Sequence, residues 1–187
     1  MKLADRVAIV TGGGGGMGRG ISRCLARDGA QVVVADLDLE SAQGTVAEVE
    51  KNGREGLAVV ADIARDEACH ALVAQALDRF GQIDIIVNNA GHFGGKLALP
   101  FTNMDEAEWD DNYAVNVKGP FLLCKAAAEH MMEREYGKIV NISSIAAKRD
   151  PAFVPAYVAT KNAVLSLTRI LAKDLGPYNI NVNAVCP

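Results

Sequence analysis

Six short apolar runs punctuate the chain, at residues 7–10, 32–35, 57–61, 83–87, 138–142 and 180–185. Most are continuous rather than alternating, and rich in Val and Ile. That is the pattern of parallel strands covered by helices on both faces. Helical periodicity fills the gaps between them. Met17, Ile21, Cys24 and Leu25 share one face before Gly29 closes the first helical stretch. Leu39, Ala42, Val46 and Val49 repeat through residues 39–52, and Ala68, Leu72, Val73, Ala76, Leu77 and Phe80 repeat through 65–80. Two longer stretches cover 109–132 and 156–175, the second stopped by Gly176-Pro177. Trp109 and Phe121 in the longer pair are expected in the core. Strand and helix alternate to the end, which predicts an α/β fold built on a doubly wound parallel sheet, in one domain. The longest irregular piece, 91–108, follows the fourth strand, where loops of such sheets carry function.

Composition narrows what this fold can do. Half of the 187 residues are hydrophobic and 22% are charged, a balance that supports one sizeable core. The net charge is −4 and no basic face is clustered, so a nucleic-acid partner is not expected. No apolar run approaches the ~18 residues of a membrane span. The polar start, residues 1–6, lacks the form of a signal peptide, and a cytoplasmic location is expected. Cys24, Cys69, Cys124 and Cys186 are scattered without a CxxC pair and read as reduced thiols. His70, His92 and His130 show no ligand spacing, so no metal site is expected.

The first strand ends in Thr11-Gly12-Gly13-Gly14-Gly15-Gly16-Met17-Gly18, and a helix follows. Glycines there let the backbone approach a pyrophosphate, which rests on the open N–H groups and positive dipole end of the helix. Five glycines in a row could also be a flexible turn. Asp36 ends the second strand, where an acid can accept hydrogen bonds from ribose hydroxyls. The expected fold is then Rossmann-type, three layers α/β/α. A carboxylate at that place repels a 2′-phosphate, which favours NAD over NADP. The other reading of Asp36 is a turn cap. A P-loop is set aside, because no Gly-Lys-Ser/Thr follows at its spacing.

Tyr157 and Lys161 stand four apart on one face of the last helix. Ser144 sits at the carboxyl end of the fifth strand, where doubly wound sheets place their ligands. A lysine charge beside a phenol favours phenolate and makes the tyrosine a usable base near neutral pH. With these pieces in order, the chain resembles the short-chain dehydrogenase/reductase family. Thr11 to Gly18 match its Thr-Gly-xxx-Gly-x-Gly loop, and Asn88-Asn89-Ala90-Gly91 match its Asn-Asn-Ala-Gly element. Asn116 matches its helix-borne Asn, Ser144 its Ser, and Tyr157 and Lys161 its Tyr-xxx-Lys pair. Met17 stands where isoleucine is common.

The resemblance implies hydride transfer between NAD and a small-molecule ketone or secondary alcohol. It implies Tyr157 as general acid/base and Ser144 as hydrogen-bond partner of the substrate oxygen. Lys161 would also hold the nicotinamide ribose, and Asn116 would position a proton-relaying water. Asp62 and Ile63 would lie beside the adenine. Gly12, Gly14, Gly15, Gly16, Met17, Gly18, Asp36 and Leu37 would form the rest of the nucleotide site. Asn89, Ala90 and Gly91 would pass close to the cofactor, and Pro187 would border it from the far end of the chain. Blander readings stay open for several of these. Ser144 could begin a turn, Asn116 could be bonded to backbone, Asp62 could cap a helix, and His92 could be solvated or face substrate. Asn88 is read as structural, tying its strand end to a neighbour. The family also implies a homodimer or homotetramer packed through 109–132 and 156–175. Its pattern continues past this proline into a lid and a seventh strand, so the domain is expected to be incomplete at Pro187. The alternative function is a catalytically idle dinucleotide-binding or partial-domain interaction protein.

Overall fold

The apolar runs form six parallel strands: β1 (Val7–Thr11), β2 (Gln31–Asp36), β3 (Gly56–Val60), β4 (Ile85–Asn88), β5 (Gly137–Ile142) and β6 (Ile180–Val185). Their order in the sheet is β3-β2-β1-β4-β5-β6. The computed structural model describes residues 1–93, 100–152 and 154–187. Residues 94–99, part of the expected functional loop, and Phe153 lie outside the described residues. Helices α1 (Gly16–Arg27), α2 (Leu39–Glu50) and α3 (Asp66–Phe80) connect the first four strands. Then come α4 (Glu106–Tyr113), α5 (Gly119–Glu133), the short α6 (Ala146–Arg149) and α7 (Pro155–Leu175).

Successive residues of a strand point to opposite faces, and both faces of this sheet are covered. Ile9 and Val33 pack with Leu72, Leu123 and Met131 on one side. Ala8, Val10, Val32 and Val34 pack with Ala26, Ala42 and Val49 on the other. This double burial is why the inner strands read as unbroken apolar runs. The edge strand β6 differs, burying Ile180 and Val182 while Asn181 and Asn183 are exposed.

Two expectations about helices need correction. The fully buried stripe of α1 is Gly18, Ser22 and Ala26; of the expected face, Ile21 and Leu25 are partly buried against the core, while Met17 and Cys24 are exposed. The helix lies so close to the β1 turn that a Cβ on Gly18 would stand 2.1 Å from the Gly12 carbonyl oxygen. Only glycine fits such an approach. The helix expected over 109–132 starts earlier, at Glu106, and is interrupted by a π-helical turn at Ala114–Lys118. Trp109 and Phe121, expected in the core, are 38% and 45% exposed on its outer side.

The strand order reverses at β1 and β4, whose following loops diverge and open a crevice at the carboxyl ends. The opposite end is closed by a buried carboxylate. Asp84 accepts from Arg6 and Arg134 at 3.1 Å each, and from the Val7 N–H and Gln82 at 2.8 Å.

Candidate active site

The glycine turn leaves β1 with Gly12 at φ +58° and enters α1 with Gly16 at φ +48°. Gly13 N–H donates to the Ala35 carbonyl (3.1 Å) and Gly14 N–H to Asp36 Oδ2 (2.8 Å). Gly15 is the N-cap of α1, and no side chain caps that helix. A Cβ on Gly15 or Gly16 would meet nothing within 4 Å. The first N–H groups of α1 are thus uncapped, with open space beside Gly15 and Gly16, as an anion cradle requires. Asp36 Oδ1 also accepts from Asp38 N–H (3.2 Å). An ionised carboxylate has about four acceptor positions. Two are used here, so the carboxylate keeps capacity for a pair of hydroxyls.

Beside this turn a cavity of about 220 Å³ is lined by Gly12, Asp36, Leu37, Ala61, Asp62, Ile63, Ala90, Gly91, His92 and Val115. The structure thus gathers seven of the expected nucleotide-site residues from the ends of four strands. Leu37 forms its rim at 72% exposure. Asp62 Oδ1 accepts from Ala64 N–H (3.1 Å), so its side chain also shapes the turn into α3, whose N-cap is Arg65.

A second cavity, about 340 Å³, is lined by Met17, Asn89, Gly91, Phe93, Ile142, Ser143, Ser144, Tyr157, Lys161 and Pro187. Gly91 borders both cavities, so the two are neighbours at the carboxyl ends of the strands. Ser144 Oγ accepts from Ala146 N–H (3.1 Å), as the turn reading supposed, and its own hydroxyl hydrogen stays available to donate. Tyr157 and Phe93 meet edge-to-face with centroids 4.8 Å apart. Lys161 Nζ lies 5.5 Å from the Tyr157 ring centre and donates to the Ile142 carbonyl (2.9 Å). Ser143 Oγ anchors the same residue by donating to the Lys161 carbonyl (2.8 Å). Burial pushes the Lys161 ammonium down to about 8.

Asn116 lines neither cavity. Its Oδ1 accepts from His92 N–H (2.7 Å), and its Nδ2 faces three acceptors: His92 O, Thr160 Oγ1 and Asn112 Oδ1. It holds the segment after β4 against the π-turn and α7. His92 is not simply solvated, because its ring lies 3.0 Å from Glu108 Oε1, which also accepts from Asn112. Nor does it line the Tyr157 cavity. Glu108, Asn112 and Thr160 were not anticipated from sequence. Glu108, Asn112 and Asn116 repeat every four residues across α4 and the π-turn, which is the one signal that could have revealed them.

The Asn-Asn-Ala-Gly element is also tied down. Asn89 Nδ2 donates to the Thr11 and Gly12 carbonyls, and Thr11 Oγ1 accepts from the N–H groups of Asn89 and Ala90. Asn88 Nδ2 donates to Asn141 Oδ1 (2.8 Å), joining β4 to β5. Among the described residues no three His, Cys, Asp or Glu side chains gather as a metal site. No described helix is long and apolar enough to cross a membrane.

A family model described as short chain dehydrogenase matches residues 6–187. A hydroxy(phenyl)methylsuccinyl-CoA dehydrogenase subunit from Thauera aromatica is 41% identical, the alignment covering 100% of this chain and 74% of the relative. Sorbitol dehydrogenase from Cereibacter sphaeroides is 38% identical, covering 100% and 71%. Among solved structures, an NAD+-bound xylitol dehydrogenase superposes with a TM-score of 0.96 at 34% identity, covering 100% of this chain and 71% of that one.

Proposed function

Because the chain belongs to the short-chain dehydrogenase family, we propose that it is an NAD-dependent oxidoreductase interconverting a secondary alcohol and its ketone. The observation that carries this reading is the meeting of Ser144, Tyr157 and Lys161 in one cavity, which shares its Gly91 wall with the cavity holding Asp36. The residues present fit a dinucleotide. The uncapped start of α1 suits the pyrophosphate, Asp36 has acceptor capacity for ribose hydroxyls, and Ile63, Ala61 and Leu37 offer apolar walls for a base. The dinucleotide would supply the hydride acceptor or donor.

The chain's own residues do the rest. Tyr157 gives or takes the proton at the substrate oxygen. Ser144 donates its free hydroxyl hydrogen to that oxygen and orients it. Lys161 stabilises the phenolate form of Tyr157 by charge. It uses one of its three hydrogens on Ile142, which leaves the others for a ribose. Any proton relay at Asn116 runs through its main chain, because both side-chain atoms are committed to neighbours. Asp36 selects NAD, because a 2′-phosphate would bring like charge against its carboxylate.

The test is Tyr157→Phe. Turnover is expected to fall by ~10²–10⁴ or more, the usual weight of a general acid/base, while NADH affinity stays near its original value. Near-normal turnover in that variant removes Tyr157 from this role. Wild-type protein that binds NADH yet oxidises no member of a secondary-alcohol panel favours the idle binding protein instead.

A further inference from the structure

We propose that Arg19 is a positioning residue for the phosphate-binding loop. It grips Gly14 by the carbonyl while Asp36 grips the same residue by the N–H, and the pair of grips sets the face on which a pyrophosphate rests. The inference builds on the dinucleotide reading above.

Arg19 is the fourth residue of α1. Its Nη2 and Nε donate to the Gly14 carbonyl at 2.5 and 3.1 Å. Nε also donates to Thr45 Oγ1 at 3.1 Å, and Thr45 is a fully buried residue of α2. Glu48, one turn further along α2, lies 3.9 Å from Nη1. The guanidinium is thus held to α2 at Thr45 and Glu48, and the loop is held to the guanidinium. Across the loop, Asp36 Oδ2 takes the Gly14 N–H at 2.8 Å.

Such a grip is needed because five consecutive glycines are the most flexible pentapeptide a chain can carry. On the side where a Cβ would stand, Gly15 and Gly16 meet nothing within 4 Å, so that face of the loop is not braced. Peptide planarity makes the Gly14 grip effective two atoms further on. In a trans peptide the C=O of Gly14 and the N–H of Gly15 point in opposite directions. Pulling the carbonyl toward Arg19 therefore turns the Gly15 N–H away from Arg19 and α2. A donor array fixed before binding attracts an anion more tightly than one that must be ordered on binding. Arg19 acts here through the geometry of its planar fork, which reaches Gly14 and Thr45 together.

Arg19→Met and Arg19→Lys test the proposal, with Thr45→Val as a milder variant that leaves the charge in place. NADH affinity is expected to drop about tenfold in Arg19→Met, the scale of losing charge-assisted hydrogen bonds. The loss should appear in KM for NAD rather than in kcat. Competition by adenosine, which carries no phosphate, is expected to change less than about twofold. Lysine should recover only part of the affinity, because one ammonium cannot hold Gly14 and Thr45 in the same fork. Thr45→Val should weaken NADH binding when Arg19 is present and have no further effect in Arg19→Met. Hydrogen exchange at the Gly14 amide, whose N–H Asp36 holds, should quicken in Arg19→Met when measured without ligand. Unchanged exchange, equal losses for NADH and adenosine, or full rescue by lysine would each overturn the proposal. Wild-type protein that binds neither NADH nor NADPH overturns the dinucleotide reading instead, and the exchange measurement still decides the grip.

Discussion

Asp36 serves two purposes that a substitution can separate. One oxygen holds Gly14 N–H, and the full negative charge opposes a 2′-phosphate. Asp36→Asn keeps an oxygen for Gly14 and removes the charge, whereas Asp36→Ala removes both. Competitive binding should show NADP gaining on NAD in the Asn variant, and both dinucleotides losing about tenfold in the Ala variant relative to Asn. Indistinguishable Asn and Ala variants would mean that the Gly14 bond contributes nothing. Lys161 makes a prediction about pH. Burial lowers its pKa from 10.5 to about 8 in the folded protein. Between those values the unfolded chain binds more protons than the folded one, so this group's contribution to stability rises with pH across that window. Below about pH 8 the ammonium is charged in both states and the burial penalty is fully present. Lys161→Met should therefore stabilise the ligand-free protein at pH 7, on the order of 1–3 kcal/mol, while turnover is lost. Thermal unfolding at pH 7 and pH 10 checks this, and an advantage that fails to shrink toward pH 10 counts against the buried charge.

At the scale of elements, the start of α1 is set by two glycines with opposite tolerances. Gly18→Ala would put a methyl 2.1 Å from the Gly12 carbonyl oxygen, forcing α1 off the sheet. A loss of more than about 2 kcal/mol is expected in denaturant unfolding, as for an overpacked contact. Gly15→Ala meets empty space in an extended conformation any residue adopts, so its unfolding midpoint should stay near wild type. Dinucleotide affinity should fall, because the methyl enters the open face of the loop. The same helix shows where sequence reading works and where it stops. Strands β1 and β2 were legible because burial on both faces leaves unbroken Val and Ile runs. The expected stripe of α1 caught Ile21 and Leu25, which pack against the core, but missed Gly18, Ser22 and Ala26, which are fully buried and carry little hydrophobic signal. The glycine turn, Asp36 and the Tyr157–Lys161 pair were legible from their places on strand ends and one helix face, whereas Ser144 and the roles of the set rested on the resemblance to a known family. Arg19 on Gly14 and His92 on Glu108 were not, because those contacts depend on how loops fold back. The π-turn at Asn116 was equally hidden, since it coincides with side-chain bonds to His92 and Thr160 that only the tertiary structure creates.

Across the whole molecule, chemistry gathers at the carboxyl ends of the strands and a buried lock sits at the amino ends. Asp84→Asn leaves Arg6 and Arg134 facing a neutral amide in place of a fully buried carboxylate. Unfolding free energy is expected to drop by roughly 2–4 kcal/mol, with KM for NAD unmoved because the lock lies at the far end of the sheet. A changed KM with unchanged stability would contradict that separation. The outer side of α4, α5 and α7 presents Phe121 at 45% and Ile170 at 54% exposure, beside Val117 and Leu167. The family resemblance implies that a second copy packs here, and Phe121→Glu tests it: the sedimentation coefficient of an assembled protein should fall toward that of the monomer. A coefficient unchanged by that charge places any assembly elsewhere. The strand order also has a consequence in time. β1 meets β2 across residues 7 and 31, but it meets β4 only across residues 8 and 85. Closing the second contact requires far more chain to be ordered, so it is the slower event. During synthesis the half that carries the glycine turn and Asp36 leaves the ribosome first and can pair its strands before Tyr157 exists. Pulse-labelled exchange during refolding should accordingly protect β1 and β2 amides ahead of those in β5 and β6.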